Sequence, residues 1–169
     1  MKQIIYINAS YLTKPGKISL IARFAPSIRF YCRFMEIVIK ASRKAKRGNY
    51  SDAEWHLSSF NVIEQLEKIG VCFHVTGIEN LQMLDGPCVI IGNHMSMMET
   101  VALPAIISPA KNITFIVKES LLRYPVFKHI MRSRNPIAVT RLNPRQDLKT
   151  VMEEGVRSEE HTSELQSQR

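Results

Sequence analysis

Apolar and polar positions follow two different periods along this chain. After Ser51 the apolar residues Trp55, Phe60, Ile63 and Leu66 recur at helical spacing, Ser51 and Glu54 make the S-x-x-E pattern of a capping box, and Gly70 closes the segment. Val71, Phe73 and Val75 then alternate as a half-buried strand does. Residues 77–86 read as a turn-rich connection. Short apolar runs bounded by turn residues predict strands at 88–91, 113–117 and 136–140, and helices follow from Ser96, near 120–131 with Pro125 inside, and over about 144–155. Strand and helix alternate four times. That order predicts an α/β domain with a largely parallel sheet and flanking helices, and no internal repeat is visible.

The first 49 residues carry a different pattern. Between Lys14 and Arg47 ten basic residues stand against Glu36 alone, interleaved with apolar residues such as Ile18, Leu20, Phe24, Ile28, Phe30, Phe34 and Val38. No uncharged run reaches the roughly 18 to 20 apolar residues that a spanning helix needs, and Pro26 interrupts the pattern. An amphipathic helix or helix pair lying on an anionic phospholipid surface is the expectation for residues 1–49. The alternative is a helix packed on its own domain with a solvated basic face.

Composition narrows the classes. The 169 residues suit one α/β domain with a modest core, and 23 basic against 15 acidic side chains give a net charge of +8, concentrated at the N-terminus. Nucleic acid ranks last as a partner, because the basic stretch carries no recognisable binding motif and its apolar residues are aliphatic as well as aromatic. No secretory signal is evident, so the cytoplasmic face of the cell membrane, with peripheral attachment, is the expected location. Cys32, Cys72 and Cys88 are odd in number and lack metal spacing, which predicts reduced, packed thiols and no metal site.

The last thirteen residues, RSEEHTSELQSQR, hold Leu165 as their only large apolar residue and keep no period. Residues 157–169 resemble the in-frame translation of a sequencing-library adapter. On that expectation genuine sequence stops near Val156, residues 50–156 form a partial domain, and the chain as given is inactive.

Candidate chemistry concentrates in CVIIGNHMSMMETVALPAII, residues 88–107, where Asn93, His94, Ser96 and Glu99 interrupt two hydrophobic runs. Two residues five apart in one helix point about 140° away from each other. Here His94 precedes the Ser96 cap, and a capping-box glutamate leans back toward that loop, so the Glu99 carboxylate can reach the imidazole. A carboxylate on one ring nitrogen fixes the tautomer and leaves the other nitrogen to accept a proton. The bland alternative is a plain strand, turn and helix in which Asn93 shapes the turn and Glu99 only caps. Lys118 closes one predicted strand and Arg141 another, which in a parallel sheet puts both cations at the same end as His94, suited to a phosphorylated ligand.

The block N-H-x-S-x-x-E at 93–99 resembles N-H-x-S-x-x-D of glycerolipid acyltransferases of the lysophosphatidic acid acyltransferase type, and the spacing to IVKESL and PIAVTR is similar to that family's. The likeness covers about residues 70–156. It implies that His94 is the general base and Glu99 its orienting acid, with Asn93, Ser96, Lys118 and Arg141 binding substrate. It also implies acyl transfer from a thioester, acyl-CoA or acyl carrier protein as co-substrate with no bound cofactor, to a lysophospholipid hydroxyl, most directly 1-acylglycerol 3-phosphate giving phosphatidic acid. Glutamate stands where the family has aspartate, Asn135 and Ala138 replace a glycine and a phenylalanine, and the family's third and fourth blocks are absent. A non-catalytic lipid-binding module remains the alternative function, while metal hydrolysis lacks a second His or Cys near His94.

Overall fold

The computed structural model describes residues 4, 6, 10–14, 16, 18, 20–93 and 95–167; of Ile21 and of residues 158–167 the backbone alone is described. Pro26 lacks the N–H that an inner helical position must donate, and the N-terminal helical pattern divides in front of it. Helix α1 (Leu20–Phe24) stops there, and α2 (Pro26–Lys46) begins with that proline in its first turn. One face of α2 buries Phe30, Phe34, Val38 and Ala41 with Tyr50, Val62, Leu66 and Ile130 in the main core. The N-terminal segment thus does pack on the rest of the chain, while Ile28 and Tyr31 on another face stay exposed.

Helix α3 (Asp52–Glu67) starts at Ser51, whose hydroxyl accepts the Glu54 N–H at 3.4 Å. Only half of the expected box forms. The Glu54 carboxylate turns instead to the Lys44 ammonium of α2, which ties the two helices together at their exposed edge. At the far end Gly70 takes a left-handed φ of 98°, where a Cβ would also come within 2.9 Å of Ile18 Cδ1. A second core of Ile4, Ile63, Ala102 and Ala105 joins α3 to α5 (Met97–Ile107), the two alanines letting the backbones approach.

The alternation at Val71, Phe73 and Val75 anticipates β2 (His74–Val75), but not its partner. Strand β1 (Tyr11–Leu12) pairs with it antiparallel, Tyr11 opposite Val75 and Leu12 opposite His74. Residues 77–86 are not all turn, for Gly77 at φ 78° opens a short helix, α4 (Ile78–Met83). Strand β3 (Ile116–Lys118) pairs in parallel with β4 (Ile137–Val139), Ile116 opposite Ile137 and Lys118 opposite Val139.

Between them the predicted helix breaks at its proline. A 3-10 turn covers Glu119–Arg123, Tyr124 is extended at ψ 127°, and α6 (Phe127–Arg132) follows. Val126, at φ 69° and ψ −50°, is the centre of a positive-φ γ-turn in which the Phe127 N–H donates to the Pro125 carbonyl at 2.8 Å. The Ser42 hydroxyl of α2 donates to the Val126 carbonyl at 2.6 Å and holds this strained turn against the core. Helix α7 (Pro144–Ser167) runs twelve residues past the expected end at 155.

Two expectations fail. Residues 88–91 form no strand; Val89 is 80% and Ile91 91% exposed, so the largely parallel sheet is reduced to one parallel and one antiparallel pair among the described residues. A strand holds only where its backbone finds a ladder and its side chains a core, and this run has neither. The thiols are not packed either. Cys32 on the outer side of α2, Cys72 in the turn into β2 and Cys88 in the unpaired run are all free and exposed. No helix among the described residues is long and apolar enough to cross a membrane.

Candidate functional site

The apolar residues of α5 pull its axis against α3, and the chain must then turn sharply from the open run 88–93 into its first turn. That turn is built by side chains. Ser96 Oγ accepts the Met98 N–H at 3.1 Å, and the Glu99 carboxylate reaches back over the cap, Oε1 accepting the amides of Met95 and Ser96 at 3.1 Å each and Oε2 the Met95 amide at 3.1 Å. The full capping box expected from the sequence is present. Its consequence is positional: the carboxylate is anchored on the amide next to residue 94. His94 itself lies outside the described residues. Asn93 and Ser96 are exposed at the mouth of the same loop.

Lys118 and Arg141 lie toward the same end of the β3–β4 pair. Lys118 is the last residue of β3, level with Val139, and Arg141 follows β4 by two residues, so the parallel register leaves both at the carboxyl end of the pair. Both are exposed. The neighbouring carboxylate of Glu119 is taken by Arg123 in an ion pair, so it does not neutralise Lys118. The expectation that all three chemical groups follow strand ends holds for these two cations only, because no strand precedes Asn93.

Sequence reasoning missed Asp147. Asn143 caps α7, accepting the Gln146 N–H at 3.3 Å, and Asp147 in the first turn reaches back as Glu99 does. Its Oδ1 accepts the Thr140 N–H at 2.9 Å and the Thr140 hydroxyl at 3.0 Å, and its Oδ2 the Arg141 N–H at 2.7 Å. The Thr140 amide first, then the Arg141 amide and the Thr140 hydroxyl, hold the carboxyl below the usual aspartate range. These bonds fix Arg141 at φ 64°, a left-handed conformation costly for arginine. The signal lay in Asn143-Pro144, a cap followed by a first-turn proline, with an acid three residues on.

The far end of α5 is held as firmly. His56 of α3, only 3% exposed, sets Nδ1 2.8 Å from Ser108 Oγ at the C-terminal cap of α5. Arg134 clamps the start of α3, its guanidinium 5.5 Å and 5.4 Å from the ring centres of Tyr50 and Trp55, paired with Asp52 and donating to the Tyr50 carbonyl at 2.6 Å. Burial pushes the Tyr50 phenol up to about 12. Among the described residues no three His, Cys, Asp or Glu side chains gather as a metal would require.

The arrangement defines a class: an α/β protein in which a helix-capping acid is anchored on the amides of Met95 and Ser96, with two cations at the carboxyl end of a parallel strand pair. Residues 72–165 match the Acyltransferase family, and the chain belongs to it. The chain is also similar to the 1-acyl-sn-glycerol-3-phosphate acyltransferase of Pseudomonas aeruginosa, 33% identical over 86 residues, 51% of this chain and 32% of that protein. It spans about a third of the length of that relative. No solved structure matches it.

Proposed function

We propose that this chain is part of an enzyme that moves an acyl group from a thioester, on coenzyme A or acyl carrier protein, to the free hydroxyl of a lysophospholipid, 1-acylglycerol 3-phosphate before others. The lipid oxygen attacks the thioester carbonyl carbon, forming a C–O bond as the C–S bond breaks. His94 takes the hydroxyl proton and returns it to the departing thiolate, and Glu99 orients the ring. Lys118 and Arg141 hold the acceptor phosphate, and Asn93 and Ser96 line the approach.

The observation that carries this reading is the Glu99 carboxylate, 3.1 Å from the amide of Met95, within the family-matched segment. The Pseudomonas relative's name supports the acceptor. Phosphatidic acid formation belongs at a membrane, and the exposed apolar side chains Ile28, Tyr31, Met35 and Ile39 of α2 support peripheral attachment to the cytoplasmic leaflet. The same stripe is what favours the second reading, a lipid-binding module without catalysis.

His94→Ala in a full-length version carrying the family's third and fourth blocks separates the two. Thiol release from an acyl-CoA in the presence of 1-acylglycerol 3-phosphate should fall by about 10² to 10⁴. Unchanged release would leave only lipid binding.

A further inference from the structure

The exposed residues of α2 divide into two faces with different chemistry. At about 100° per residue, Ile28, Tyr31, Met35 and Ile39 fall within an arc of about 80°. Ile37, nine positions after Ile28, points about 180° from it. With Ala41 and Leu57 it floors a groove of ≈ 590 Å³ between α2 and α3. Seven cations rim that groove, against Glu36 and Glu54. Arg33 and Lys40 already share Glu36, at 2.8 and 2.6 Å, and Lys44 holds Glu54, so the excess positive charge is spread along the groove rather than gathered at a point.

Three features select the occupant. A bilayer resting on the apolar stripe lies across α2 from the groove, so the groove stays in water when the stripe is covered. Its cations run from Arg29 to Arg47, about 27 Å of helix, longer than the phosphates of one nucleotide-like ligand can engage. Its apolar floor and two rim carboxylates suit a protein better than a nucleic-acid backbone, which offers neither apolar side chains nor a cation for the carboxylates.

We propose that the α2–α3 groove docks an acidic amphipathic helix of the protein that carries the acyl thioester. The identity of the carrier rests on the acyl-transfer reading; the groove itself does not. Acidic residues along one helical face meet the rim cations, and apolar residues between them meet Ile37 and Leu57. Association by such a surface is steered by charge and weakens with salt.

The test is calorimetric titration of the chain with holo acyl carrier protein bearing no acyl group, at low and high salt, beside coenzyme A, a short DNA duplex, and phosphatidylglycerol-containing vesicles. The carrier should bind, less tightly as salt rises. The triple variant Arg33→Gln, Lys40→Gln, Arg47→Gln should weaken carrier binding by about tenfold or more. Its vesicle binding should fall by less than its carrier binding, and its melting temperature should stay as in the parent. Arg47→Glu alone should weaken the carrier less and in the same direction, and serves if the triple variant does not fold. Absence of carrier binding, carrier binding untouched by both variants, an equal loss on vesicles, or a duplex or coenzyme A displacing the carrier from the groove would each overturn the proposal. Binding needs no turnover, so the His94 assay with an acyl-CoA can fail while the carrier still docks, and the reverse.

Discussion

At the scale of single residues, two carboxylates do the same thing at two places. Glu99 and Asp147 each stand in the first turn of a helix and reach back to the amides of the preceding loop, next to residue 94 in one case and to Arg141 itself in the other. Anions are favoured at that end of a helix, so the cap stabilises itself while it sets the loop. Glu99→Gln keeps one accepting oxygen and should cost about 1 kcal/mol or less in a thermal melt. If the acid also orients His94, acyl transfer in a full-length version should nevertheless fall by about 10². A fall in activity no larger than the stability loss would reduce Glu99 to a cap. Asp147 makes a pH prediction. Its native value lies below that of the unfolded chain, about 3.9, so its contribution is present above that pH and is lost as the pH falls through the lower native value. Asp147→Asn should flatten the acid limb of stability against pH, measured by denaturant titration between pH 5 and pH 2; an unchanged acid limb would count against the assignment.

At the scale of elements, prolines decide where helices divide and other elements hold the breaks in place. The turn at Pro125 and Val126 has positive φ at a β-branched residue, which local propensity opposes. It persists because Ser42, on a helix 84 residues earlier, donates to the Val126 carbonyl. Ser42→Ala should destabilise the chain by about 1 to 2 kcal/mol, the cost of a carbonyl left without its partner near the core. Amide exchange at Phe127 should rise with it, and a melt equal to the parent's would mean that the turn holds itself. Pro26, Ser96 and Gly70 were legible as boundaries in the sequence, since each acts through its own backbone or its immediate neighbours, whereas Pro125 was expected inside one helix and instead divides it. The break at Ala25, the Ser96 cap and the positive φ of Gly70 appear where those residues stand.

At the scale of the whole molecule, the unpaired run 88–91 is the largest departure from expectation. A strand was expected there from the short apolar run Cys88, Val89, Ile90 and Ile91 alone, but a strand's existence depends on a neighbour that no local pattern names. Exposed apolar residues of high β-propensity invite edge pairing between copies. Sedimentation should therefore show self-association rising with concentration, and Ile91→Lys, at a site 91% exposed, should suppress it without lowering the melting temperature. A variant that melts several degrees lower would show Ile91 to be covered in solution.

The amino-acid sequence by itself determined α3 and the start of α5 with their serine caps, the division at Pro26, the basic character of the N-terminal third, and the placing of Asn93, Ser96 and Glu99 at one turn, because hydrogen bonds and torsions within a few residues control all of these. Only the tertiary structure decided that β1 closes on β2, that α2 turns one face to the core and two to the outside, and that residues 88–91 stay unpaired. Each of those outcomes depends on contacts between segments far apart in the chain, whose free energies of burial and pairing outweigh the weak local preferences that a sequence displays.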